Sequence, residues 1–564
     1  MNHNVSDKEI LRIENLSINI VESGGRIVSP VRGVSFSVPE GRVTAIVGES
    51  GSGKTLTALA VMGLLFKGQI RVSTGSNIYF RDRNLVGLSE QEMCSLRGKE
   101  IAMIFQDAGA CLNPVLSIGK QIAEPLMQHL GLSRQEAYSR AIELLYEVGI
   151  PTPAMKVKAY PHELSGGQQQ RVMIAMAISC KPKLLIADEP TSALDVTVQR
   201  QILDLIARLQ KELTLSIVFI THDLGVVAEI ADQVVVMRQG IIKEQGSKDE
   251  VLFSPKDLYT QDLIASRARL GEKRKSVYLD RSENKVLARD IMLPPLNHAK
   301  DILLEAKGLR KDYYIRLGFQ RKHILQAVRG VSFVLGRGET LGIVGESGSG
   351  KTTLAMMLVR LTNATAGSVF LEGQEVLGIS PANFRPIRRR LQIVFQNPYA
   401  SLNPRWRIRQ TLTEPMMLHS LGADESEREE RAIRLLEKVG LSRGALDKYP
   451  HQFSGGERQR IAIARCLTLE PEILICDECV SALDASVQVQ VLDLLRDLQD
   501  DFGMSYLFIS HDLTVVRHVA DRVMVMRNGE VVETAKTETF YASPEHPYSK
   551  QLLSAMPRVE RWRQ

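Results

Sequence analysis

No stretch of about 18 uninterrupted apolar residues occurs in this sequence, so no segment is expected to span a membrane by itself. Any work done at a membrane must then borrow its channel from separate subunits. The opening residues, Met1-Asn2-His3-Asn4, are polar and lead into no apolar core, so no secretory signal is expected. Cysteine is scarce: Cys94, Cys111, Cys180, Cys466, Cys476 and Cys479 are the six among 564 residues. They show no disulfide-like pairing, which favours a reducing cytosol. Cys476 and Cys479 form a C-x-x-C, but no second pair completes a zinc site, and the two merely flank an Asp-Glu pair. A strong excess of one charge is missing too. The net charge of +6 is mild and diffuse. It suits an acidic ligand or an anionic membrane surface and argues for no nucleic-acid partner.

What is present is a duplication. A chain of 564 residues is too long for one core, so about two to four domains are expected. GESGSGKT at Gly48–Thr55 returns at Gly345–Thr352, an offset of 297 (345 − 48). LSGGQQQR at Leu164–Arg171 answers FSGGERQR at Phe453–Arg460, an offset of 289 (453 − 164). The Asp-Glu pairs at Asp188 and Asp477, SALD at Ser192 and Ser481, and the His-Asp pairs at His222 and His511 keep 289. So do the tails, SPKDLYTQDL from Ser254 and SPEHPYSKQL from Ser543. The first half therefore carries a small insertion, eight residues long (297 − 289), between its glycine loop and its SGG motif. A period this long is a duplicated domain, not a solenoid repeat. Residues 7–268 and 301–564 are the expected domains. The charged, proline-containing stretch 269–300, with Lys273-Arg274-Lys275, reads as a linker.

Each half alternates short apolar strands with amphipathic helices. Val43–Val47, Leu184–Ala187 and Ile217–Ile220 precede the first set of motifs; Leu341–Val344, Ile473–Cys476 and Leu507–Ile509 precede the second. Strands that end in functional loops and lead into helices predict a parallel α/β sheet, with the site at the strands' carboxyl ends.

The glycine loops match G-x-x-x-x-G-K-[ST], the phosphate-binding P-loop, so ATP with Mg²⁺ is the expected cofactor pair. Gly48, Gly51 and Gly53, like Gly345, Gly348 and Gly350, let backbone N–H groups curl around phosphates, with Ser50, Ser52, Ser347 and Ser349 between them. Lys54 and Lys351 should reach the β- and γ-phosphates, and Thr55 and Thr352 should offer hydroxyls to Mg²⁺. Asp188 and Asp477 end apolar strands, where a carboxylate is costly without a cation nearby. They suit the Mg²⁺-holding role, and Glu189 and Glu478 follow in position to polarise the attacking water.

At Ser165-Gly166-Gly167-Gln168 and Ser454-Gly455-Gly456-Glu457 the chain resembles the ABC signature. Together with Gln106, Gln396, the SALD loops, His222 and His511, these motifs resemble the ABC ATPases across almost the whole chain, in the family's order, twice. The resemblance implies an α/β fold of two tandem P-loop ABC nucleotide-binding domains. Each would be a mainly parallel sheet core with an antiparallel β part and a helical subdomain. It also implies two composite sites. One would set Lys54, Thr55, Gln106, Asp188, Glu189 and His222 against Ser454, Gly455 and Gly456. The other would set Lys351, Thr352, Gln396, Asp477, Glu478 and His511 against Ser165, Gly166 and Gly167. In the family, Gln106 and Gln396 would sense Mg²⁺ and the water, His222 and His511 would contact the γ-phosphate, and Tyr313 would stack on adenine. The place of Tyr313 in the first half is taken by Ile20, and Cys479-Val480 stands where the first half has Pro190-Thr191. After Gln106 the chain reads DAGACLNP, against NPYASLNP after Gln396. Neither half lacks its Lys, Glu or His, so both sites are expected to hydrolyse, and a fused chain needs no second ATPase copy.

Three features resemble the ATPases of oligopeptide, dipeptide and nickel importers. They are the segments Leu112-Asn113-Pro114 and Leu402-Asn403-Pro404, the stretches YPHELSGGQ and YPHQFSGGE, and the tail SPEHPYSKQLLSAMP. The resemblance implies two membrane permease subunits and an extracytoplasmic solute-binding protein as partners. It implies peripheral placement on the cytoplasmic face of a bacterial inner membrane. Relatives with an iron–sulfur centre carry a cysteine cluster near the C-terminus; no cysteine follows Cys479, so no cluster is expected. A tandem ABC protein acting on ribosomes or nucleic acid is the alternative, but the short irregular linker and the lack of paired-cysteine modules argue against it. An exporter would use the same chemistry. The solute leaves no mark on these motifs.

Overall fold

A computed structural model describes residues 8–21, 25–66, 68–192, 194–270, 302–317, 321–481 and 483–556. The expected linker lies outside them, save for residues 269 and 270, which continue the helix Leu258–Leu270. The chain forms two compact units, one built mainly from residues up to Arg267 and the other mainly from Ala268–Met556.

In the first unit the P-loop strand Val43–Val47 sits centrally in a six-stranded sheet. It pairs in parallel with Ser216–Thr221 on one side and Gln233–Arg238 on the other. Leu184–Asp188 and Ile101–Ile104 extend the parallel order beyond Ser216–Thr221. Ile241–Ser247 closes the opposite edge antiparallel. All five residues of Val43–Val47 are buried. Alternation sends Ile46 into one hydrophobic cluster and Ala45 and Val47 into another, which is why this strand, buried on both faces, is apolar at every position but Thr44.

A second, antiparallel sheet orders Ile27–Pro39, Glu9–Val21, Asn77–Phe80 and Arg83–Asn84, and shares its apolar face with the P-loop helix Lys54–Val61. Helices Ile118–Leu130, Arg134–Glu147 and Gly166–Ile178 cover the other side of the main sheet through Ile122, Leu144 and Val172.

The second unit repeats the plan. Its main sheet runs Leu391–Val394, Ile473–Asp477, Ser505–Ile509, Thr340–Val344, Arg522–Arg527 and Glu530–Lys536. Its antiparallel sheet runs Arg321–Gly336, Ile302–Leu317, Ala366–Leu371 and Gln374–Glu375. Each unit thus has the parallel core, antiparallel part and helical part that the resemblance implied.

The extra residues of the first half have a visible product. A short strand, Ile70–Val72, pairs with Ile18–Ile20 on the antiparallel sheet, and no counterpart stands in the second unit among the described residues.

Candidate functional site

The P-loop strand ends at Val47, and the helix Lys54–Val61 starts directly after the loop. Its N-cap, Gly53, adopts φ 97° and supplies no side-chain cap. The first N–H groups of that helix therefore stay available to an anion. Gly48, at φ 154°, passes so near the end of strand Gln233–Arg238 that a Cβ there would lie 2.0 Å from the Met237 carbonyl oxygen. Gly345 stands 2.2 Å from the Met526 carbonyl by the same measure. Lys54 Nζ donates to the carbonyls of Gly48 (2.7 Å) and Glu49 (2.8 Å). Lys351 does so to Gly345 (2.7 Å) and Glu346 (2.9 Å), and its burial pulls its pKa down.

Across from each P-loop, a strand delivers the acidic pair. Thr55 Oγ1 donates to Asp188 Oδ1 at 3.2 Å, and Thr352 Oγ1 to Asp477 Oδ1 at 3.1 Å. Burial pushes both aspartates up to about 6. A buried carboxylate beside a hydroxyl, held partly protonated by desolvation, has the donor set and the unmet charge that suit a divalent cation.

Gln106 Nε2 donates to Glu189 Oε2 at 3.0 Å, and Gln396 Nε2 to Glu478 Oε2 at 2.9 Å. His222 Nδ1 lies 3.3 Å from Glu189, and His511 Nδ1 lies 3.3 Å from Glu478. Burial opposes ionisation of both glutamates, but the histidine and lysine beside each outweigh it and hold the carboxyl below its ordinary value. Burial likewise opposes charge on His511, and the Glu478 carboxylate overrides it and raises the imidazole. Each glutamate is thus an ionised proton acceptor, oriented from two sides.

The sequence carried no hint of one property. Glu189 (φ 45°) and Glu478 (φ 50°) occupy the left-handed region. Each is held there by its own N–H, which donates to Ile220 (2.9 Å) or Ile509 (3.0 Å) on the adjacent strand. Such a conformation costs roughly 1–3 kcal/mol for a residue with a Cβ and persists where the surroundings over-determine it. Neither position is a glycine, so no residue type signals it.

Ser165 and Ser454 N-cap the helices Gly166–Ile178 and Gly455–Leu467 with capping boxes closed by Gln168 and Glu457. A Cβ on Gly167 would lie 2.7 Å from Val198 Cγ1, and one on Gly456 would lie 2.4 Å from Val487 Cγ1. The second signature glycine thus allows each helix to approach the helix behind it. Within each unit the Lys, Thr, Asp, Glu, Gln and His converge. Among the described residues, no hydrogen bond joins a unit's own signature serine to that cluster.

Strand register places the proposed base contact. Tyr313 faces Leu325 across the antiparallel pair, and Ile20 faces Val28. Ile20 therefore holds the Tyr313 position, and the inserted strand sets Ile70 on its other side. Where the second unit offers an aromatic ring, the first offers the aliphatic row Val28, Ile20 and Ile70. Cys476 and Cys479 pack within the second unit's core as buried free thiols.

Two residues that sequence reasoning passed over also touch the P-loops. The Glu49 N–H donates to Tyr259 Oη, and the Glu346 N–H donates to Tyr548 Oη, each at 3.2 Å. Both tyrosines lie in the matched tails, which the sequence showed only as a subfamily mark.

The profile of the ABC transporter family matches residues 31–192 and 328–481, and that of the oligopeptide/dipeptide transporter C-terminal region matches residues 532–564. The glutathione import ATP-binding protein GsiA of Escherichia coli O6:H1 is 45% identical over 99% of this chain and 91% of its own length. GsiA of Escherichia coli strain K12 is 45% identical over 98% and 90%, and that of Salmonella paratyphi A is 44% identical over the same shares.

The chain belongs to the ABC transporter family. It is an ABC ATPase of the oligopeptide/dipeptide importer type, with two ATP-binding domains whose ATP hydrolysis is coupled to transport. No described helix of this ABC ATPase is long and apolar enough to cross a membrane. Among solved structures, a chain of the ATP-binding cassette MJ0796 bound to ADP and Pi is 29% identical and covers 42% of this chain and 99% of its own, at a TM-score of 0.38.

Proposed function

We propose that this ABC ATPase energises import of short peptides of the glutathione class through two composite sites, each formed by one P-loop and the signature helix of the other half. The near full-length likeness to glutathione import ATP-binding proteins carries the solute class. The two P-loop clusters, equal in Lys, Thr, Asp, Glu, Gln and His, support hydrolysis at both sites. Two permease subunits and an extracytoplasmic solute-binding protein complete the importer. The chain sits peripherally on the cytoplasmic face of the inner membrane, with domains 7–268 and 301–564 joined by the tether 269–300.

Thr55, Asp188 and Gln106 would hold Mg²⁺ in one site, and Thr352, Asp477 and Gln396 in the other; the ion would neutralise charge on the β- and γ-phosphates. Lys54 and Lys351, buried at the loop, supply fixed positive charge to the same phosphates. The Glu189 and Glu478 carboxylates accept a proton from the attacking water, each turned toward it by glutamine and histidine. Gly166 and Gly455 open their helices, and N–H groups of that first turn would meet a γ-phosphate. The test is uptake of labelled glutathione and dipeptides by host cells deleted for this gene. Wild-type chain should restore uptake, and the Glu189→Gln/Glu478→Gln variant should not. Uptake that survives the deletion refutes the assignment.

A pH dependence follows from the aspartates. Their folded carboxyls titrate near 6, above the ordinary 3.8. In the cation-free fold this contribution to stability is full below about pH 4 and is lost as pH rises through 6. Cation binding needs the carboxylate, so Mg·ATP binding should expel the proton. Calorimetry near pH 6, in buffers of different ionisation heat, is expected to show about half a proton released per aspartate, fading by about pH 8. No buffer dependence near pH 6 would exclude these aspartates as the cation's ligands.

Base contact should divide the sites. Tyr313→Ala is expected to weaken ATP at the second P-loop about tenfold, by loss of stacking. Ile20→Ala should change the first by less than about threefold. Nucleotide titration in Lys54→Ala and Lys351→Ala backgrounds isolates each site, and equal losses would contradict the division.

A further inference from the structure

The tail of each unit is fastened at both ends, and one of those ends is the phosphate cradle. In the first unit, Glu244 on the edge strand Ile241–Ser247 accepts from the N–H groups of Lys256 (2.8 Å) and Asp257 (3.2 Å). Asp257 Oδ1 then accepts from the Tyr259 N–H at 2.8 Å as the helix Leu258–Leu270 begins. The Tyr259 ring is buried, and Arg238 lies over it at 4.5 Å from the centroid. Arg238 follows Met237, whose carbonyl closes against Gly48. The Tyr259 hydroxyl accepts the Glu49 N–H, while the Glu49 carbonyl receives Lys54.

The second unit repeats each link, with its tail residues 289 positions on and its P-loop residue 297 positions on. Glu533 accepts from Glu545 (2.9 Å) and His546 (3.0 Å), and His546 Nδ1 accepts from the Tyr548 N–H at 3.1 Å. Arg527 lies over the Tyr548 ring at 4.6 Å, and Tyr548 Oη accepts the Glu346 N–H. Burial pushes the Tyr548 phenol up to about 12, so the hydroxyl stays neutral at working pH. Both halves of the duplication keep the whole network, from edge-strand carboxylate to P-loop N–H.

We propose that Tyr259 and Tyr548 are positioning residues for ATP. Each tail is a clamp that holds the second residue of the P-loop, Glu49 or Glu346, so that the loop presents its N–H groups and its lysine to the phosphates before nucleotide arrives. The edge-strand carboxylates Glu244 and Glu533 anchor the clamp, and the stacked arginines hold the ring. The inference rests on the ATPase reading and adds a role for the importer-type tail.

Tyr259→Phe and Tyr548→Phe keep the ring, its burial and the arginine stack, and remove the hydroxyl that accepts the Glu49 or Glu346 N–H. Because the loop must then be ordered by the nucleotide itself, the double variant of the full chain is expected to raise KM for ATP about three- to tenfold, with kcat within about twofold. Its thermal midpoint should stay close to that of wild type. The companion variant Glu244→Gln/Glu533→Gln, which loosens the anchor and leaves the ring in place, should raise KM in the same direction by a smaller factor, and it decides the matter if the phenylalanine variant does not fold. An unchanged KM overturns the proposal. So does a parallel fall of kcat and thermal midpoint, which is the mark of a merely structural tyrosine. A wild-type chain with no ATPase activity would instead refute the underlying function.

Discussion

Glu189→Gln is expected to lower steady-state ATP hydrolysis by about 10²- to 10⁴-fold at its own site, and Glu478→Gln to do the same at the other. The substitution is isosteric, so the left-handed backbone and the hydrogen bond to Ile220 or Ile509 survive. What is lost is the carboxylate that takes the proton from water. The glutamine beside it and the histidine 3.3 Å away then face a neutral amide. Phosphate release under saturating ATP, with nucleotide binding measured in parallel, reads the effect. Binding should persist while turnover collapses. The two variants should be equally damaging because the clusters match in every distance to within about 0.1 Å. If Glu189→Gln leaves turnover untouched while Glu478→Gln abolishes it, the equality of the sites is wrong.

Gly48→Ala is expected to unmake the first P-loop. The new methyl would sit 2.0 Å from the Met237 carbonyl and 3.0 Å from Ser52 Oγ, at a φ of 154°. A backbone oxygen in a central strand cannot step aside, so the loop must. We expect destabilisation of the first unit by more than about 3 kcal/mol and loss of ATP binding at Lys54, read by denaturant titration and by nucleotide titration in a Lys351→Ala background. Gly131→Ala separates strain from collision. Its φ is 67°, nothing lies within 4 Å of its Cβ, and it should cost only about 1 kcal/mol with ATP binding intact. Equal costs at the two glycines would show that the carbonyl contact is not the cause.

The catalytic residues were legible because phosphate chemistry demands them at short spacings along the chain. A glycine loop, its lysine and its threonine lie within eight residues, and an Asp-Glu pair ends an apolar strand. The meeting of Gln106 with Glu189, 83 residues apart, came from resemblance and not from spacing. The inserted residues were countable from the offsets, but only strand pairing set Ile70 beside Ile20. The same holds for the tails. Their repetition was plain, yet nothing along the chain placed Tyr259 against Glu49, 210 residues away.

The sequence by itself determined that this chain carries two ATPase halves with matching chemistry, because reactive groups near one another in the chain keep their spacing whatever the fold around them. Tertiary structure alone decided the left-handed glutamates, the placing of Ile70 beside Ile20, and the tail's grip on each P-loop. Those depend on which strand ends and helices close on one another, a matter of long-range packing that no local pattern of residues encodes.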